Sequence, residues 1–210
     1  IIEEIFCRIG ATNKVAVDIG AWDGKHLSNT YYLTQKGWYR FLFEKENHGR
    51  PENEWLLNIE VKSIDDDMPS GVPERPDFLN IDIDGNDYWL WHDMVKYKPR
   101  VICIEYNPTV PQHIEIIGER GTSFGASYKA LEKLGLQKGY TLVHATVTNL
   151  LFVQRDLWHW ERCFKMPDEW VSYVVIGTNG KKYMIGKEAH LDNQGAKHEK
   201  LITDKSLISI

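Results

Sequence analysis

Val15-Ala16-Val17-Asp18-Ile19-Gly20-Ala21-Trp22-Asp23-Gly24 is an apolar run that breaks into an acidic, glycine-bearing turn. Val15, Ala16, Val17 and Ile19 predict a buried parallel strand. Gly20 and Gly24 then let the backbone turn tightly into a helix that starts near Lys25 to Ser28. This is the opening of a nucleotide-type α/β site. The dinucleotide fingerprint G-x-G-x-x-G sets close-approach glycines and a helix N-terminus against a pyrophosphate. Here Ala21 and the bulky Trp22 replace the middle glycine, and Asp18 and Asp23 put negative charge where a phosphate would be repelled. The turn suits a cation better.

A cofactor with a nucleoside end, a sulfonium charge and a free amino group is S-adenosylmethionine. Its ribose hydroxyls call for an acid about 20 residues downstream, at the end of the second strand. Glu44, closing the run Arg40-Phe41-Leu42-Phe43-Glu44 and followed by Lys45, stands at that distance.

The chain has 210 residues, the size of one α/β domain with a full core of its own. A net charge of -5 and a pI near 5.9 argue against a general nucleic-acid binder, which needs a basic face. A small-molecule or saccharide substrate fits better. Cys7, Cys103 and Cys163 are too scattered for a disulfide framework or a zinc site. Acids near the N-terminus argue against a signal peptide, and no run of about 18 apolar residues offers a membrane span. A soluble protein of the reducing cytoplasm is expected.

Along the chain, residues 2–10 predict an amphipathic helix flanking the cofactor pocket, 28–36 a helix closed by Gly37, and 38–44 the second strand. Residues 56–61 predict the third strand. Ser63, Ile64 and Asp65 after it are candidates to line the adenine, beside a solvated turn at Asp66 and Asp67. The segment Pro76-Asp77-Phe78-Leu79-Asn80-Ile81-Asp82-Ile83-Asp84-Gly85-Asn86-Asp87 is a strand that runs into acids at the carboxyl end of the sheet. Ligands bind at that end in open α/β sheets. Converging carboxylates repel one another, so a sulfonium, a divalent metal or a substrate amine belongs with them.

A helix follows from Tyr88, in which Trp89 and Trp91 cannot share a face. Residues 101–108 form a fifth strand ending in Glu105 and Asn107. Residues 109–124 are an aperiodic stretch long enough to be a lid or binding loop. Residues 127–138 predict a helix, and 140–145 with 149–153 an antiparallel strand pair. Residues 1–156 form the cofactor-binding domain. Residues 157–210 form an extension packed on it, with an aromatic tract (Trp158, Trp160, Phe164, Trp170, Tyr173) and an irregular polar stretch from Gly177. The tract is open to core packing, sugar stacking or a homodimer contact.

Taken in order, Val17-Asp18-Ile19-Gly20-Ala21 with Gly24, Phe43-Glu44, residues 77–85, 99–108 and 149–153 resemble the FkbM-like branch of class I S-adenosylmethionine-dependent methyltransferases. The resemblance covers about residues 14–156. It implies a Rossmann-like three-layer sandwich whose mostly parallel seven-stranded sheet has its last strand antiparallel. It also implies methyl transfer, commonly to a hydroxyl of a sugar, glycan or secondary metabolite. Asp84-Gly85-Asn86-Asp87 departs from the glutamate-containing turn common in that family, which leaves the acceptor open.

Asp18, Gly20, Ala21, Trp22, Asp23, Gly24, Glu44, Lys45, Ile64 and Asp82 are the cofactor-binding candidates, and Asp82, Asp84 and Glu105 the catalytic ones. A magnesium set resembling that of catechol-type O-methyltransferases would be Asp82, Glu105 and Asn107, whose oxygens suit a hard cation. His26, His113 and His144 compete as bases. Methylation of a small amine and a non-catalytic cofactor-binding module stay open beside O-methylation. A nicotinamide dehydrogenase is disfavoured by Trp22 and Asp23.

Overall fold

The computed structural model describes residues 1–49, 55–160, 173–176 and 182–185. Helix α1 (Ile2–Ile9) leads into β1 (Val15–Ile19), α2 (Tyr31–Thr34), β2 (Tyr39–Phe43), β3 (Trp55–Leu57) and α3 (Ile64–Asp67). There follow β4 (Phe78–Ile81), α4 (Asp87–Asp93), β5 (Val101–Glu105), α5 (Tyr128–Gln137), β6 (Tyr140–Ala145) and β7 (Asn149–Gln154). The order in the sheet is β3-β2-β1-β4-β5-β7-β6. Strands β1 to β5 pair in parallel, and β7 runs antiparallel to both β5 and β6. This is a Rossmann-like α/β sheet with the expected antiparallel insertion. Strand order reverses between β1 and β4, the switch point at which open α/β sheets bind ligands.

Alternation along the strands sorts the core into two layers. Val17, Ile19, Leu79, Ile81, Ile102, Ile104, Leu150 and Phe152 face Ile64, Trp91, Leu131 and Leu134 of α3, α4 and α5. Ala16, Phe78, Val101, Cys103 and Leu151 face Ile5 and Phe6 of α1 and Leu33 of α2, with Trp38 and Trp158 beside them. Helices therefore cover both faces of the sheet. Trp89 and Trp91 separate as their spacing requires. Trp91 is fully buried, while Trp89 is capped by the guanidinium of Arg120 at 4.2 Å and donates to Gly118 O at 2.9 Å.

Several elements depart from the expected ones: the third strand, predicted over 56–61, is confined to Trp55–Leu57, and the fifth, predicted over 101–108, ends at Glu105. The helix predicted over 28–36 shrinks to Tyr31–Thr34, because the Ser28 hydroxyl takes the backbone N–H groups of Thr30 and Tyr31. At the end of α1, the carbonyls of Ile9 and of its C-cap Gly10 accept from Arg100 beside the N-terminal end of β5. The polar stretch after Gly177 holds a strand, β9 (Lys182–Ile185), paired antiparallel with β8 (Tyr173–Ile176). Cys163, Phe164 and Trp170 lie outside the described residues. Among the described residues no helix is long and apolar enough to cross a membrane.

Candidate functional site

The turn after β1 is pressed against the end of β4. Gly20 has φ +83°, and a Cβ on it would lie 1.6 Å from the carbonyl oxygen of Asp82. Only glycine fits there. Asp82 N–H donates to Ile19 O at 2.9 Å, so Asp82 is tied to the end of β1. On the other side, Gly20 and Ala21 N–H donate to Phe43 O at 2.9 and 3.0 Å. The turn thus sits between the ends of β2 and β4, at the switch point.

Asp82, Asp84 and Glu105 converge beyond the ends of β4 and β5, each offering a carboxylate oxygen within 4.8 Å of the others. Asp82 is half-buried, Asp84 exposed and Glu105 buried. Asp84 is held at φ 60° and followed by Gly85 at φ +136°. The buried Asp87 fixes this turn by accepting from Ile83 N and Gly85 N, each at 2.8 Å. Gly85 also lets the loop of residues 107–127 come down on the turn: a Cβ there would meet Thr122 O at 2.2 Å.

Asn107, the amide of the predicted metal set, is engaged by its own loop. Its Oδ1 accepts from Thr109 N at 2.9 Å and from the Thr109 hydroxyl, and its Nδ2 donates to Phe124 O at 2.9 Å. It organises the loop, while the acids that come together are Asp82, Asp84 and Glu105.

Asp18 is 1 % exposed and turns away from the crevice into a buried network. It accepts from Thr30 Oγ1 at 2.5 Å, Ser28 Oγ at 3.1 Å and Asn80 Nδ2 at 2.8 Å. Burial pushes its carboxyl up, against those hydrogen bonds and the nearby Arg40. Glu44 is half-buried at the rim. Its Oε2 accepts from Trp22 N at 3.0 Å and its Oε1 from Glu46 N at 3.1 Å. Trp22 is 50 % exposed at φ 53° and stacks on His48, centroids 3.6 Å apart and planes 7° from parallel.

Ala21 is buried against Leu42 and Leu56. Asp23 faces its own turn, accepting from Lys25 N at 2.8 Å and His26 N at 2.6 Å, and these bonds hold its carboxyl below the usual range. Gly24 N–H closes the turn onto Ala21 O at 2.7 Å. Lys45 is exposed, and Ile64 is buried in the core. Asp65, expected at the adenine, accepts instead from Val95 N, Lys96 N and Tyr97 N. Asp67 likewise binds Lys62 N and Ser63 N rather than standing in solvent.

His26 and His113 are exposed. His144 lies on β6, where a register shift follows Leu142, and burial lowers its pKa. Strand β7 separates it from β5 and Glu105.

Arg40, Thr30, Asn80 and Asp87 were not singled out as site-building residues. Arg40 and Asn80 carried a signal: each is a polar side chain inside an otherwise apolar strand. Compared with protein-family models, curated proteins and solved structures, the chain matches none.

Proposed function

We propose that this protein is an S-adenosylmethionine-dependent methyltransferase acting on a hydroxyl of a sugar, glycan or secondary metabolite. The observation that carries the reading is the contact of the Gly20 turn with Asp82 at the switch point, which sets Asp82, Asp84 and Glu105 beside the cofactor loop. The resemblance in motif order and the inserted antiparallel β7 point the same way.

In this reading Glu44 accepts hydrogen bonds from the ribose diol, and the acidic crevice favours the cationic end of the cofactor. The three carboxylates offer hard oxygen ligands, which fit a divalent cation such as magnesium. When bound, the cofactor supplies an electrophilic methyl group, and the metal makes an acceptor hydroxyl more acidic. The protein's own contribution is orientation, which supplies several kcal/mol in such reactions. In this reading Asp84, the exposed acid of the three, accepts the proton that a hydroxyl loses.

Calorimetric titration with S-adenosylhomocysteine, with and without magnesium, tests this. Binding is expected, and Asp84→Asn is expected to keep it while turnover falls about 100-fold or more, the scale of losing a general base. Absence of binding would overturn the reading. N-methylation of a small amine is the second reading, favoured by the attraction of the same acids for an ammonium. Turnover of amines and not of hydroxyls in an acceptor panel would establish it.

A further inference from the structure

The loop of residues 20–30 hangs from β2. Gly20 and Ala21 hold Phe43 O, Trp22 N–H holds Glu44, and from beneath Arg40 Nη1 donates to Gly24 O at 2.9 Å. Arg40 is only 3 % exposed. The same Nη1 donates to Thr30 Oγ1 at 2.9 Å and reaches Ser28 Oγ at 3.4 Å. Those two hydroxyls in turn donate to Asp18 Oδ2. A buried cation and a buried carboxylate are thus joined through the loop's own hydroxyls, and the guanidinium lies 5.5 Å from the ring of Tyr31.

The loop needs such support. Trp22 and Leu27 both hold positive φ, at 53° and 51°, and Leu27 is 89 % exposed. Trp22 has the His48 ring and Glu44 to hold it, whereas Leu27 stands almost wholly in solvent. Strained residues persist where the surroundings over-determine the chain. Between Trp22 and Leu27, Arg40 is the buried group that grips the backbone, at Gly24 O.

We infer that Arg40 is a positioning residue: it fixes the Gly24 carbonyl and the Ser28 and Thr30 hydroxyls so that the loop after β1 is pre-shaped for its ligand. The identity of that ligand rests on the proposed function. A simple counter-ion to Asp18 would behave differently, because removing both charges together would then leave the loop intact.

The test compares wild type, Arg40→Lys, Arg40→Met and the double variant Asp18→Asn/Arg40→Met. Amide exchange of residues 21–28 and calorimetric affinity for S-adenosylhomocysteine are the readouts. Arg40→Lys, which keeps a charged donor, should retain most of the exchange protection and affinity. Arg40→Met and the double variant should exchange faster in 21–28 and lose affinity about tenfold or more, the scale of leaving a buried carbonyl without its donor. Wild-type exchange and affinity in the double variant would overturn the inference. If Arg40→Met alone does not fold, the double variant, which strands no buried charge, carries the test. Failure of wild type to bind would sink the cofactor reading, while the exchange comparison would still decide the role of Arg40.

Discussion

Strand β4 carries acids at both ends, and the two ends treat them in opposite ways. At the N-terminal end, Asp77 is fully buried and surrounded by donors: Thr12 N and Oγ1, Asn13 N, Lys14 N and Arg100 Nη1, all between 2.7 and 3.1 Å. Arg100 continues to Ile9 O and Gly10 O, so this one carboxylate ties α1 and β1 to β4 and β5. At the C-terminal end, Asp82 and Asp84 face a third carboxylate, Glu105, within 4.8 Å. The first arrangement neutralises charge and holds the fold. The second gathers three carboxylates into one place, a set that suits a bound cation.

The largest effect should come from breaking the stabilising end. Asp77→Ala is expected to cost about 3 to 5 kcal/mol in urea unfolding at neutral pH, the range for losing one partner of a buried pair. Burial pushes the Asp77 carboxyl up, but Arg100, Lys14, Thr12 and Asn13 outweigh it and its pKa lies below the ordinary value. Its contribution is therefore complete above the unfolded carboxyl pKa of about 3.9 and is lost as pH falls through the lower folded value.

At the other end, Asp82→Asn or Glu105→Gln should cost much less ligand-free stability than Asp77→Ala, because each also removes a like charge from acids that lie within 4.8 Å of one another. Any stabilisation by magnesium should disappear in a thermal melt. Should Asp82→Asn destabilise as much as Asp77→Ala, the contrast between the ends collapses.

Glu44→Ala and Asp18→Ala sharpen the comparison within the crevice. The first is expected to weaken cofactor binding about tenfold with little loss of stability, because Glu44 sits at the rim. The second should lower affinity and stability together. The Asp18 side chain sits inside the Ser28, Thr30 and Asn80 network, so its loss reaches the fold as well as the site. Equal stability of the two variants in chemical denaturation would contradict this difference.

The smallest effect belongs to the exposed Asp93–Arg120 pair, which fastens the loop over α4 at 2.7 Å. Arg120→Ala should leave global unfolding unchanged and speed amide exchange only in residues 117–124. Arg120 holds the Asp93 carboxyl down, to about 2. The fastening is thus complete above about pH 4 and released as pH falls toward that folded value. Exchange measured across this window checks it.

Sequence periodicity named the strands well, because central parallel strands are apolar on both faces and 15–19, 78–81 and 101–105 contain almost nothing else. It also placed the acids at the correct end of the sheet. It did not give partners. Asp77 and Arg100 are 23 residues apart, and only the packed sheet brings them together. Asn107 entered as a metal ligand through the catechol-type resemblance, and no sequence pattern announced the local turn that its amide closes onto Thr109. Asp18 was legible as a site residue but not its direction, since strand alternation sends it to the same face as Ala16, under the loop. Arg40 stands out as a cation within an apolar strand, but its partners Gly24, Ser28 and Thr30 appear only in the folded chain.

The stacked Trp22–His48 pair has an optical consequence. An indole lying parallel to an imidazole at 3.6 Å has an emission that depends on that overlap, and half of this indole faces solvent. A ligand that shifts the turn must alter the overlap. The chain therefore carries its own fluorophore at the mouth of the crevice, and the difference spectrum between wild type and Trp22→Phe isolates its signal without any added label.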